Sequence, residues 1–367
     1  MKILVTGADG FIGKNLCFML QELEEYEVLK VTRDSPKETL LAYLKEAEFI
    51  FHLAGVNRPE KESEYQKGNL DLTNFIVKKL AESGQKTPIA FSSSTQVNED
   101  NPYGKSKLLA EKAIEKYSKI TGSAYYIFRY PNVFGKWCKP NYNSFVATFC
   151  YNIQNNLDIS IHDPNSKVNL IYIDDVCKSL INLLNEKSST GLKDIQNVYH
   201  STVGEVAEII SSFKTSRDTL ISERVGVGLK RALYSTYLSY FSPKNFSYNI
   251  PSYKDNRGLF CEMLKTKDSG QFSFFTAHPG ITRGGHYHHS KNEKFLVIKG
   301  VAKFCFRNIL TNEKHSMTSS GDNPVIVQTV PGWSHDITNI SDEELIVMLW
   351  ANEIFDPENP DTREARI

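Results

Sequence analysis

Two groups of side chains in this sequence are of types that do chemistry. The stretch GGHYHHSKNEKF, residues 284–295, holds three of the nine histidines, His286, His288 and His289, with Glu293 close behind. Imidazoles and a carboxylate at this spacing suit a metal ion, a proton-transfer site, or a solvated loop of biased composition. Earlier, NPYGKSK places Tyr103 and Lys107 one helical turn apart, and so on one helix face. A free tyrosine ionises near ~10, and a neighbouring ammonium favours the phenolate. Such a tyrosine exchanges a proton with a carbonyl or alkoxide oxygen, which Ser94, at the end of the preceding FSSS run, would orient. Tyr26–Lys30 and Tyr287–Lys291 repeat the spacing without that setting and are read as accidental.

The first half supplies the elements that position Tyr103. KILVT reads as a buried strand, followed by a turn with glycines at 7, 10 and 13 and then an amphipathic helix. The first glycine permits a tight turn, the second lets backbone approach a pyrophosphate, and the third lets the helix pack on the strand. Gly7, Asp9, Gly10, Phe11, Ile12 and Gly13 are therefore the expected dinucleotide contacts, together with Leu53 and Ala54 at the end of the third strand. Strand–helix alternation continues through YEVLKVTR, AEFIFHLAG, TPIAFSSS and a helix from Pro102. That is the pattern of a doubly wound parallel α/β sheet. Arg33, after the second strand, suits a cofactor 2′-phosphate and points to NADPH, although Asp34 is adjacent.

The last third changes character. Short β-prone runs, QFSFFTAH, KFLVIKGVAKFCFRN, NPVIVQTV and ELIVMLWANEIF, are bounded by turn residues, as in an all-β jelly roll or barrel. In a strand His286 and His288 share a face, while Tyr287 and His289 point away. Glu293 opens the next strand, and His335 lies near a later strand start. The boundary is placed at 245/246, after an aromatic, turn-rich crossing, YSTYLSYFSPKNFSYNIP.

With 367 residues, two domains are the default, and 43 basic against 43 acidic residues leave no footprint for nucleic acid or an anionic membrane. The six cysteines lack paired spacing, the opening MKILVTGADG is not a secretory signal, and no window has the apolar length of a membrane span. A cytoplasmic enzyme is expected.

TGADGFIG, FHLAG, FSSS, Tyr103/Lys107, FRYPNVFGKW and NLIYIDDVCKSL occur in the order found in extended short-chain dehydrogenase/reductases acting on nucleotide sugars, which residues 1–245 resemble. The likeness implies a catalytic Ser94, Tyr103 and Lys107, with Lys107 also holding the nicotinamide ribose and Asn132 touching substrate. Sugar 4,6-dehydratases of that family carry an acidic pair beside the serine. Here the stretch is SSSTQ, so carbonyl reduction is expected instead. Residues 253–355 resemble cupins through Gly280, His286, His288, Glu293, Gly300, Pro331, Gly332, His335 and Asn339, which implies that His286, His288, Glu293 and His335 hold zinc or another divalent ion. TRGGHYH also resembles cupin-fold epimerases of 4-keto-6-deoxy nucleotide sugars, in which the residue matching His286 is a metal-free base. The two likenesses leave His286 open between ligand and base. The whole chain resembles the bifunctional enzymes of capsular-polysaccharide synthesis. That implies C3 epimerisation of a UDP-activated 4-keto amino sugar by the cupin, NADPH reduction at C4 by the first domain, a UDP-2-acetamido-2,6-dideoxy-β-L-talose product, and a homodimer. The alternative is a single-function ketoreductase whose cupin only binds or dimerises.

Overall fold

The computed structural model describes residues 1–185, 189–250, 252–255, 258–261, 264–266, 270–353 and 358–367. Two compact units divide the chain: residues 1–144 with 167–201, and residues 145–166 with 202–367.

In the first unit β1 (Lys2–Thr6), α1 (Phe11–Gln21), β2 (Glu27–Val31), α2 (Lys37–Glu46) and β3 (Phe49–His52) alternate. A short α3 (Ser63–Tyr65) runs through a π-helical turn, Gln66–Asp71, into α4 (Leu72–Ser83). Next come β4 (Ile89–Ser94) and α5 (Pro102–Thr121), whose first turn is capped by Asn101 accepting from the Gly104 amide at 2.8 Å. β5 (Tyr125–Tyr130), β6 (Asn132–Phe134), β7 (Lys167–Tyr172), α7 (Ile173–Asn185), β8 (Gly191–Lys193) and β9 (Tyr199–Thr202) complete it. The main sheet has the order β2-β1-β3-β4-β5-β8, with every pairing parallel. β1, β3 and β4 are buried on both faces because helices cover both sides, and each carries an uninterrupted apolar run, ILV, FIF and IAF. The direction of winding reverses between β1 and β3, and a crevice opens beyond strand ends at such a reversal. The expected doubly wound sheet is thus present.

In the second unit α6 (Phe145–Gln154), α8 (Val203–Thr219) and α9 (Gly228–Leu238) group with the C-terminal strands. β10 (Ile221–Ser222) pairs with β14 (Lys265–Thr266), and β12 (Ser252–Asp255) with β13 (Gly258–Cys261). One five-stranded sheet contains β11 (Ser247–Asn249), β15 (Gln271–Ala277), β17 (Glu293–Lys299), β20 (Val325–Gln328) and β22 (Leu345–Ala351). The other contains β16 (Thr282–Tyr287), β18 (Val301–Asn308), β19 (Lys314–Ser320), β21 (Trp333–Asn339) and β23 (Arg363–Glu364). The strand pairings within both sheets are antiparallel, as the turn-bounded runs required. The end of ELIVMLWANEIF, residues 354–357, lies outside the described residues.

One expectation needs correction. The aromatic crossing is not turn-rich at its start: its first residues are the end of helix α9. Leu233, Tyr234, Tyr237, Leu238 and Phe241 recur at three- and four-residue steps and are buried, with Tyr234 and Tyr237 packing their rings on Phe213. Helical periodicity was hidden there by the serines and tyrosines between the apolar positions.

Candidate active site and metal centre

The dinucleotide turn is assembled where β1 and β3 end. Gly7 has φ +70°, and a Cβ there would lie 2.8 Å from the Ala54 Cα, so the turn after β1 touches the strand end after β3. A Cβ at Gly13 would fall 2.0 Å from the Gly7 carbonyl oxygen, so only glycine lets α1 pack this close. Leu53 donates to the Thr6 carbonyl at 3.2 Å and Ala54 to Thr6 Oγ1 at 3.3 Å. Asp9 and Gly10 are exposed, with Phe11 and Ile12 half-buried behind them, and Arg33 is exposed just beyond β2. The cradle that a Cβ would fill fits a nicotinamide dinucleotide.

Buried β4 delivers Ser94, and α5 delivers Tyr103 and Lys107 beside it. Burial raises the Tyr103 phenol, while a hydrogen bond with Ser94 draws it down. The sequence reading expected Lys107 to be what lowers Tyr103, and the structure differs. The Lys107 ammonium is buried, donates to the Ser92 carbonyl at 2.8 Å, and lies 4.8 Å from the centre of the Phe91 ring. Burial lowers Lys107 to about 8, opposed by the charge of Glu111 one turn further along. Asn132 is exposed at the start of β6 and donates to the Asn169 carbonyl at 3.3 Å.

Three supporting residues were not visible in the sequence. Asn69, in the π-helical turn, accepts from the Val56 amide at 2.7 Å and donates to Ser106 Oγ at 2.9 Å, tying the strand-end loop to α5. A Cβ on Gly55 would meet Lys107 Nζ at 2.9 Å and Asn69 Oδ1 at 3.0 Å, so glycine leaves room for both. Glu111 accepts from Ser93 Oγ and from Arg129, at 3.1 Å from Nε and 2.7 Å from Nη2. His52 lies between Thr6 Oγ1 at 2.7 Å and Thr73 Oγ1 at 2.8 Å, and burial lowers it to about 3. The only local hint was a polar residue on a buried face, as for Glu111 four residues after Lys107.

The second cluster forms in the barrel. Gly284 and Gly285, both with positive φ, carry an irregularity in the β16–β21 pairing that sets His286 opposite His335. His286, His288, Glu293 and His335 then place one donor atom each within 4.8 Å of one another, and the last three are buried. His289 and Tyr287 are not in this group, and their rings pack together at 5.4 Å.

Glu293 Oε2 lies 3.2 Å from His288 Nε2 and 3.3 Å from His335 Nε2, while Oε1 is held by Lys291 Nζ at 2.9 Å. His288 Nδ1 meets the Asp361 carbonyl, which can only accept. Nδ1 therefore carries a proton, and Nε2 faces a carboxylate oxygen. A metal ion between Nε2 and the carboxylate would serve both, as would a proton shared between them. Zinc arms of ~2.0–2.1 Å at a tetrahedral angle put neighbouring donors about 3.3 Å apart, so the spacing and donor set fit zinc. His286 is lowered to about 4 by burial and then by His335 and His288, with Glu293 and the Gly284 backbone opposing.

Comparison with known proteins agrees with both halves. Residues 3–198 match the NAD dependent epimerase/dehydratase family and residues 253–363 the polysaccharide biosynthesis C-terminal domain. The chain is 52% identical over 363 residues to a UDP-2-acetamido-2,6-beta-L-arabino-hexul-4-ose reductase of Pseudomonas aeruginosa, covering 99% of this chain and 98% of that one. It resembles the capsular polysaccharide assembling protein CapF of Staphylococcus aureus with TM-score 0.69 and 40% identity, each chain covered in full. A UDP-glucuronic acid 4-epimerase of Bacillus cereus shares the fold of the first part, with TM-score 0.51 and 21% identity over 58% of this chain and 82% of that one. By the extent of these matches, the chain belongs to the NAD dependent epimerase/dehydratase family and continues into a polysaccharide biosynthesis C-terminal domain.

Proposed function

We propose that this protein carries out two consecutive steps on one UDP-activated 4-keto amino sugar, C3 epimerisation in the cupin and NADPH-dependent reduction at C4 in the first domain. The product is UDP-2-acetamido-2,6-dideoxy-β-L-talose, for capsular polysaccharide, and the enzyme works as a cytoplasmic homodimer. The functional division is drawn at 245/246. What carries the reading is that one chain holds both a Ser94–Tyr103–Lys107 group next to a dinucleotide cradle and a His/Glu donor set in a barrel.

For reduction, NADPH supplies the hydride when bound. Ser94 donates a hydrogen bond to the C4 carbonyl oxygen, and Tyr103 gives that oxygen its proton. Lys107 binds the ribose. Asn132 contacts the sugar, and Arg33 meets the cofactor 2′-phosphate.

For epimerisation, zinc in the barrel would polarise the ketone. His288, Glu293 and His335 hold it, with Lys291 restraining the second carboxylate oxygen. His286 is the least buried of the four and is low enough to be neutral near pH 7. It either completes the donor set or takes the proton from C3. A proton returned to the opposite face inverts that carbon.

A second reading has one observation behind it. The Pseudomonas aeruginosa relative, similar along its whole length, carries a name that mentions reduction alone. In that reading the barrel binds substrate or a second copy. Product analysis decides: the C3-inverted, C4-reduced sugar from a 4-keto substrate and NADPH supports two steps, and a reduced sugar of unchanged C3 configuration supports one.

A further inference from the structure

The last residues of the chain fold back onto the metal-ligand cluster. β23 pairs with β16, with Glu364 opposite His286 and Arg363 opposite Tyr287, and Ala365 donates to the Gly285 carbonyl at 2.8 Å. Ser334 Oγ, next to His335, donates to the Ala365 carbonyl, and Arg307 donates to the Arg366 carbonyl at 3.0 Å.

Asp361 makes the closest engagement. Its Oδ1 accepts from the His289 amide at 2.8 Å. Its Oδ2 accepts from the Ser290 amide at 2.6 Å, the Ser290 hydroxyl at 2.9 Å and the Lys291 amide at 2.7 Å. Its backbone carbonyl accepts from His288 Nδ1. One residue thus holds the loop between two metal-ligand positions, His288 and Glu293, by its carboxylate, and fixes the tautomer of His288 by its carbonyl. A partner on the far nitrogen of a ligating histidine orients the ring and raises its basicity, and loss of such a partner usually costs 10–100-fold in metal affinity.

We propose that Asp361 is a positioning residue of the metal centre, and that zinc is retained through this C-terminal strap. The proposal rests on His286, His288, Glu293 and His335 being metal ligands. It extends that reading to a residue 73 positions beyond His288, which the ligand spacing does not reveal.

The test uses the full-length chain and its Asp361→Ala and Asp361→Asn variants, each loaded with zinc. Zinc per chain is measured, then the rate of release to a chromogenic chelator well below the melting temperature. Zinc-free samples are melted in parallel. Asp361→Ala should release zinc at least ~10-fold faster than the unaltered chain, with the zinc-free proteins melting alike. Both variants keep the backbone carbonyl and so test the carboxylate's hold on the loop; Asp361→Asn also keeps one acceptor oxygen and should fall between, which preserves the test if alanine prevents folding. Unchanged release in both variants overturns the proposal. Faster release matched by an equal loss of stability in the zinc-free protein also overturns it, since the role is then only structural. If the unaltered chain binds no zinc, the metal centre itself fails, and that is seen on a separate sample.

Discussion

His288 Nε2 lies 3.2 Å from Glu293 Oε2, while Lys291 Nζ engages the other carboxylate oxygen at 2.9 Å. The carboxylate is thereby divided: one oxygen is fixed by the Lys291 ammonium, and the other is left for the centre that His335 also approaches, at 3.3 Å.

On the proposed function, that division leaves His335 to share the ion with Glu293. His335→Ala should lose most bound zinc, measured by elemental analysis, and with it the stabilisation a bound ion gives the folded state. The stabilisation is about 4 kcal/mol when free zinc stands at about a thousand times its dissociation constant. Reduction of a keto sugar that needs no epimerisation should persist. Full zinc content in the variant would remove His335 from the ligand set.

Tyr103→Phe removes the proton donor and leaves the cradle around Gly7 untouched. Keto-sugar reduction should fall by about 10²–10⁴-fold, with NADPH affinity nearly unchanged by fluorescence titration. Lys107→Ala should lose both, because it also removes the ribose contact. Near-normal turnover in Tyr103→Phe would place the proton donor elsewhere.

The pH profile follows from Lys107. Burial brings it to about 8, so its ammonium is present below that pH and lost above it. The kcat/KM for NADPH, which reports the free enzyme, should therefore decline as pH rises through about 8. Glu111 favours the ammonium, so Glu111→Gln should move this limb to lower pH. A limb that stays in place would separate Glu111 from Lys107.

Two substitutions probe the cofactor. Gly13→Ala forces a Cβ to within 2.0 Å of the Gly7 carbonyl oxygen and should cost about 1–3 kcal/mol of stability in denaturant unfolding, along with cofactor affinity. Arg33→Ala should raise the KM for NADPH and leave that for NADH nearly unchanged; equal effects on both would argue against a 2′-phosphate contact.

The first strand, its glycine turn and α1 were legible because their chemistry is local: a buried run, glycines at fixed steps and a helical period. His286 and His288 could be paired because strand alternation puts side chains two apart on one face, while Glu293 and His335 joined them through the resemblance to cupins. Asn69, Glu111 and Asp361 were not legible. Each acts across the fold, Asp361 reaching the His289 amide over 72 positions, and no local pattern marks such a partner. The Tyr103–Lys107 pair was found, but its electrostatics were misjudged, because burial against Phe91 and the Ser92 carbonyl depends on packing that the four-residue spacing does not contain. Helix α9 was misread for the opposite reason, since polar residues between its apolar positions resemble a turn-rich linker.

Deuterium uptake tests the two-step account most directly. The full-length protein is incubated with a UDP-4-keto-6-deoxy-N-acetylhexosamine in deuterated water without NADPH, and the C3 position is read by mass spectrometry and NMR. The account predicts deuterium at C3 in the unaltered chain and in Lys107→Ala, with none in His335→Ala. No deuterium at C3 from the unaltered chain, together with complete reduction of the same substrate once NADPH is added, would contradict it.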